Sequence, residues 1–209
     1  MSTRSPDRSA KGDATRAALV AAARKLFVTN GYFATGTEEI VAEAAVGTRG
    51  ALYHHFDDKQ DLFRAVFDQV QTDLAAATVI NERDDPLDML TAALQQFLDA
   101  SAGNPDVQQV LLIDGPAVLG WEQWRDLEAQ YGLGAITGML DHAVAQGVLA
   151  KQPTAPLAHM LLAAIDEAAL YIANADDRRQ ARNQARRALN QLLNGLRTKQ
   201  VAPAAPRLP

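Results

Sequence analysis

Between Gly31 and Phe63 the chain reads GYFATGTEEIVAEAAVGTRGALYHHFDDKQDLF, two short amphipathic stretches divided by glycine and followed by the start of a longer one. Thr35 and Glu38 have the spacing of a capping box, which predicts a helix start near Thr35 to Thr37. Ile40, Val41 and Ala44 then recur at helical spacing. Gly47 interrupts the pattern, and Thr48 can cap a second helix that carries Ala51, Leu52 and Tyr53. Two helices of about two turns each, joined by a glycine-containing turn, make a helix-turn-helix.

The second of these helices holds Thr48, Arg49, Gly50, Ala51, Tyr53, His54 and His55, with a face free of acids. Small and polar residues at a helix N-terminus suit an element that enters the DNA major groove. Gly50 and Ala51 let the backbone approach base edges, and Arg49 can make a bidentate contact to guanine. Leu52 and Phe56, four apart, face back toward the protein. Taken alone, the helix could equally be an ordinary amphipathic surface helix.

The flanking residues point to DNA. Leu26-Phe27 and Gly31-Tyr32, then Ile40 and Ala44, then Arg49-Gly50-Ala51-Leu52-Tyr53-His54-His55-Phe56 with Lys59 and Leu62, resemble the DNA-binding domain of the tetracycline-repressor (TetR) family of transcriptional regulators. The resemblance covers residues 13 to 63. Two departures stand out. The family usually places a glycine in the turn where this chain has Ala45 or Val46, and Tyr53 falls one residue late relative to Ile40. Either the turn is longer or the third helix starts one residue later. The resemblance implies DNA contacts from Thr37, Thr48, Arg49, Gly50, Ala51, Tyr53, His54, His55 and Lys59, with Tyr53 and Lys59 on phosphates and Arg49 nearest the bases.

A net charge of −5 over 209 residues argues against nucleic acid until its distribution is considered. From Met1 to Phe56 seven Lys and Arg outnumber five acids, giving +2 and leaving −7 for the rest of the chain. A mildly basic head on an acidic body suits a regulator with a separate DNA-binding domain. Hydrophobic residues make up 48% of the sequence, enough for a sizeable core, and there is no cysteine for disulfides or thiolate metal sites. No uncharged apolar run reaches the roughly 18 residues of a membrane span, and the N-terminus lacks an apolar signal core. A soluble, cytoplasmic protein is expected.

The periodicity predicts an all-α protein: a three-helix DNA-binding domain over 13–60 and a helical regulatory and dimerisation domain over 61–198, with a disordered arm at 1–12 and a disordered tail at 199–209. Gly31 should end the first helix, and Asp57 or Asp58 should cap the fourth, which carries Leu62, Phe63, Val66, Phe67, Val70 and Leu74. Asn81 to Asp85 reads as a charged linker, and Pro86 as the first turn of the next helix. Asp114-Gly115-Pro116 reads as a turn after a short helix. A long helical stretch from about Trp121 to Gly147 should bend near Gly132, Gly134 and Gly138. Two helices close the body, from about Thr154 to Ala173 and from Asp176 or Asp177 to Gly195. The arginines of the last one read as a solvated or salt-bridged face.

Those last two helices carry Ala/Leu stripes too wide for one partner face, so a homodimer is expected through Leu161, Ala164, Ala168, Ala185, Leu189, Leu192, Leu193 and Leu196. Phe97, Trp121, Trp124, Tyr131 and Met139, with Asp114, His142 and Asp166 as polar anchors, are the candidate lining of a mostly apolar ligand pocket of about 300–1,000 Å³. No catalytic or metal-binding motif is present: His54-His55 and Asp141-His142 are adjacent pairs that splay apart on a helix. No enzyme activity and no cofactor are expected. The reading is a homodimeric repressor released from a palindromic operator by a small, largely apolar effector. An activator or a ligand-independent DNA binder of the same fold is the alternative, and a helical enzyme a more distant one.

Overall fold

The computed structural model describes residues 6–77 and 85–198, and the predicted tail at 199–209 lies outside them. Among the described residues the chain is all-α. α1 (Pro6–Asn30), α2 (Thr37–Glu43), α3 (Arg49–His55) and the start of α4 (Lys59–Ala77) form the head. α1 begins at Pro6, so residues 6–12 of the expected disordered arm are helical. Proline suits a first helical turn, where its missing N–H has no partner to lose.

Local signals set most of the boundaries. Gly31, at φ 82, ends α1 in the left-handed conformation that glycine tolerates. The capping box of α2 lies one residue beyond the predicted one: Gly36 is the N-cap, and its N–H donates to the Glu39 carboxylate at 2.8 Å. Thr35 instead is buried and donates its hydroxyl to the Gly31 carbonyl at 2.8 Å, closing the end of α1. Asp58 caps α4 by accepting the Asp61 N–H at 2.7 Å.

The body comprises α5 (Pro86–Ala102), a π-helical segment π1 (Val107–Asp114) running into α6 (Gly115–Leu119), α7 (Trp121–Glu128), π2 (Ala129–Leu133), α8 (Gly134–Ala145), α9 (Thr154–Ala173) and α10 (Arg178–Leu196). Asp85 caps α5, accepting the N–H groups of Leu87 at 2.8 Å and Asp88 at 3.1 Å. The bend expected near the three glycines takes the form of π2, inserted between α7 and α8. Asp114-Gly115-Pro116 is no turn. The chain stays helical through it, the wider π1 turn immediately preceding the proline that cannot donate to the helical ladder. By length and composition α9 could cross a membrane, but Leu161, Ile165, Ala169 and Ile172 are buried inside the bundle. Arg186 of α10 bridges to Asp99 at 3.0 Å, while Arg178, Arg179, Arg182 and Arg187 are exposed, consistent with a solvated or salt-bridged arginine face.

Head and body share one continuous core. Phe27 of α1 meets Phe63 of α4 at 5.6 Å between ring centroids, and Phe63 meets Phe67 at 6.5 Å. Phe67 and Trp124 in turn press against Gly115: a Cβ there would lie 2.8 Å from Trp124 Cδ1 and 3.1 Å from Phe67 Cε2. Trp124 cannot retreat without losing the bond from its Nε1 to the Leu111 carbonyl at 2.9 Å. Gly115→Ala should therefore cost about 1–3 kcal/mol through overpacking. Gly138→Ala, in a helix with nothing within 4 Å, should stabilise by about 0.5–1 kcal/mol. Denaturant titration of both variants checks the pair; equal effects would contradict the close approach at Gly115.

Candidate nucleic-acid interface and body cavity

α3 is anchored by Leu52 and Phe56, 0% and 3% exposed, with the Arg16 guanidinium 5.0 Å over the Phe56 ring. That leaves Thr48, Arg49, Gly50, Tyr53 and His54 exposed. Ala51 is half-buried, and so is His55, whose ring lies beside Gly12 of α1. Arg49 pairs with Glu38 of α2 at 2.6 Å and donates to the Tyr53 hydroxyl at 3.3 Å. The Tyr53 bond, then Glu38, push the Arg49 pKa up; the Arg49 bond, then that of Thr37, push the Tyr53 phenol down. The half-buried Thr37 thus joins the exposed Arg49 and Tyr53 in one polar cluster. Solvent screens an exposed ion pair such as this one, so a phosphate or base edge can compete for Arg49.

Five residues, Ala44 to Thr48, separate α2 from α3. α2 ends at Glu43 and α3 starts at Arg49, with Thr48 in the N-cap position but making no side-chain cap bond. Ala45 takes the left-handed conformation, φ 54, and Gly47 follows at φ 90. Ala45 therefore stands in the conformation that a glycine would hold without strain.

Lys59 differs from the expected phosphate-reaching side chain. Its ammonium donates to the Tyr32 carbonyl at 2.5 Å and lies 4.0 Å from the centre of the Tyr32 ring. Burial, the largest influence, lowers its pKa against the pull of Asp114 and Glu39. Asp114 also differs from its expected role as a ligand anchor. It is 4% exposed and accepts the Tyr32 N–H at 2.9 Å, so it ties the body to the head and orients no ligand. Gln60 to the Val118 carbonyl at 2.8 Å and Arg64 to Gln123 at 3.1 Å reinforce that junction.

A cavity of about 200 Å³ lies within the body. Phe97 of α5, Tyr131 of π2, Met139 of α8 and Asp166 of α9 line it, as does Gln71 of α4. It is smaller than the expected range, and α4 joins the body helices in its wall. Trp121, Trp124 and His142 do not line it. Trp121 is 65% exposed and Trp124 is buried. The two indoles hold the Arg125 guanidinium, 4.7 Å from one ring and 4.6 Å from the other. His142 is exposed at the end of α8, beside Gln146 at 2.9 Å.

Glu128, absent from the sequence candidates, lines the cavity together with Asp166. It falls seven residues after Trp121 and four after Trp124, a spacing that places it on their side of α7. Arg125 bonds both carboxylates through Nη1, at 3.0 Å to Glu128 and 3.3 Å to Asp166. Burial first, then the Asp166 charge, raise the Glu128 pKa to about 8; burial raises that of Asp166 to about 6.

The expected dimer residues divide. Leu161, Leu189 and Leu193 are buried in their own protomer, at 1%, 7% and 1% exposure, and are withdrawn as interface residues. Ala168, Ala185 and Leu196 are half-buried. Ala164 and Leu192 are exposed, on the same side of their helices as the exposed Met160, Tyr171 and Ala188.

Glu128 gives a pH signature. Its carboxyl holds a proton up to about pH 8 when folded, against an ordinary value of 4.5. The folded chain thus binds more protons than the unfolded one in that window. The stabilisation is complete below pH 4.5 and is lost as pH rises toward 8. Glu128→Gln does not titrate, so its stability relative to the parent should grow as pH rises across the window. Melting curves at pH 5, 6.5 and 8 read this directly; parallel curves would show that Glu128 titrates normally.

Comparison with known proteins agrees with this geometry. The profile of bacterial regulatory proteins of the tetR family matches residues 19–66, and that of the tetracyclin repressor-like C-terminal domain matches residues 87–196. The HTH-type transcriptional repressor BepR of Brucella suis is 30% identical over 163 residues, 72% of this chain and 76% of the relative. The structure of a TetR-family regulator from Pectobacterium atrosepticum superposes with a TM-score of 0.74 at 33% identity, covering 94% of this chain and 99% of that one. RolR, solved with resorcinol, shares the fold at a TM-score of 0.65 and 19% identity, over 94% of this chain and 100% of its own. The chain belongs to the TetR family of bacterial transcriptional regulators.

Proposed function

We propose that the chain is a cytoplasmic, homodimeric repressor that leaves a palindromic operator when a small, largely apolar molecule fills the body cavity. The observation that carries this reading is α4. Its first turns pack under the head through Leu62 and Phe63, and its later residues Gln71 and Ala75 form part of the cavity wall. A ligand in the cavity therefore touches the helix on which the head is seated. BepR, similar along most of its length, is a transcriptional repressor. The resorcinol of RolR is a single substituted ring, of a size that about 200 Å³ can take. No catalytic role is assigned.

In this reading Arg49 leaves Glu38 to contact a base, while Thr37, Thr48, Tyr53 and His54 contact the backbone or base edges beside Gly50 and Ala51. His55 and Lys59 support α3 and the α1–α2 loop from behind. The dimer forms through the exposed stripe of Met160, Ala164 and Tyr171 on α9 with Ala188 and Leu192 on α10, paired with its symmetry mate into a four-helix bundle. It would set the two α3 helices about 34 Å apart, one DNA turn.

Footprinting should give a single short protected palindrome; broad coverage would favour an architectural DNA binder. Arg49→Ala should cost about 1–3 kcal/mol of operator affinity and relax preference at one base position. Tyr53→Phe should weaken all sequences alike. An Arg49→Ala variant with unchanged affinity and preference would remove Arg49 from the bases. Leu192→Glu with Ala164→Glu should give a folded monomer on sedimentation that no longer binds the operator, whereas a dimer of unchanged stability would place the interface elsewhere.

A further inference from the structure

The walls of the cavity are apolar, but its charge is unbalanced. Glu128 closes α7 and Asp166 lies midway along α9, and both carboxylates meet the single guanidinium of Arg125. Glu128 is 4% exposed and Asp166 7%. Held against the rings of both Trp121 and Trp124, Arg125 carries one charge against two. Among the described residues no Lys, Arg or His lines the cavity. Among the elements packed against α7 and π2, the Tyr131 hydroxyl turns to Asp68 of α4 at 3.4 Å, and Gln71 is uncharged. Arg125 and Asp166 are thus the charged groups that act on Glu128.

A buried carboxylate without a counter-charge either takes up a proton or takes a cation. We propose that the cavity selects a monovalent organic cation with a compact apolar body, an aromatic or branched ammonium, whose charge sits against Glu128 and Asp166. This rests on the effector-cavity reading above and specifies its ligand. Below about pH 8 Glu128 carries the proton that balances the site. Binding of the cation sends that proton to the buffer: carboxylic acid plus free cation become a carboxylate–cation pair plus one released proton. Phe97, Leu162, Ile136 and Met139 enclose the apolar body. A cavity of about 150 Å³ lined by aliphatic and aromatic side chains binds benzene. The present one, at about 200 Å³, has room for one ring and a small branched head.

Titration calorimetry of the full chain with benzyltrimethylammonium, and with its uncharged isostere neopentylbenzene, tests this. At pH 8.5 the cation should bind about tenfold or more tighter than the isostere. Its affinity should fall by up to about tenfold per pH unit below pH 8, with proton release read from buffers of different ionisation enthalpy. Glu128→Gln should lose the preference, the slope and the proton release while still binding neopentylbenzene, which shows that the cavity survives. Equal binding of the two probes, a flat profile from pH 6 to 8.5, a preference that persists in Glu128→Gln, or no binding of either probe would overturn the proposal. Operator DNA separates the two ideas. A cation that binds with these signatures but leaves the operator bound upholds the charge selection and removes the effector reading. Operator release by neopentylbenzene alone does the reverse.

Discussion

The seating of α4 constrains everything else in the molecule. Phe63 joins the aromatic packing of the head, Phe67 presses on Gly115 of α6, and Gln71 and Ala75 face the cavity. A single rigid helix cannot tilt at one end without moving at the other. The junction around it is polar and specific, with Asp114 holding the Tyr32 N–H and Gln60 holding the Val118 carbonyl. Such bonds fix a relative orientation and can be exchanged for water when that orientation changes.

A second set of contacts runs between the same two sites. Glu128 ends α7, Trp124 of the same helix is bonded to Leu111 of π1, and π1 ends at Asp114. The two π-helical segments flank this path, one under the head and one in the cavity wall. π-segments recur at functional sites because an extra residue in the turn weakens the regular ladder. A path of contacts shows where coupling can travel; its size is a free energy that binding must measure. Arg125 stands at the cavity end of the path. Two indoles and two carboxylates fix it, so the charge of the cavity is set by rigid parts.

The head was legible in the sequence because its signals are local. Gly31, Gly47, the apolar spacing of α4 and the cap at Asp58 each act within a few residues. Even there, Gly36 rather than Thr35 caps α2, since the Thr35 hydroxyl turns back to the Gly31 carbonyl at the end of α1. The body was legible as helices but less so as a site. Trp121 and Trp124 look like ligand-binding aromatics, but in the fold they seat an arginine. Glu128 looks like one more surface acid, and only the packing of α7 against α9 brings it to Asp166. Leu161, Leu189 and Leu193 look like an interface stripe because periodicity identifies an apolar face without naming its partner. In Asp114-Gly115-Pro116 the turn residues were overridden by close helix packing at Gly115, which needs the absent Cβ more than a change of direction.

The central claim is that cavity and recognition helix are two sites of one equilibrium. Linkage makes that measurable: if a ligand weakens operator binding by some factor, the operator must weaken ligand binding by the same factor, commonly about 5–150-fold. The direct measurement is the affinity of one cavity probe, benzyltrimethylammonium or neopentylbenzene, for the free protein and for the protein saturated with operator DNA. The account predicts weaker binding to the DNA-bound form, by the factor with which the probe weakens operator affinity. Equal affinity for the free and DNA-bound forms, with the cavity demonstrably filled, would contradict it.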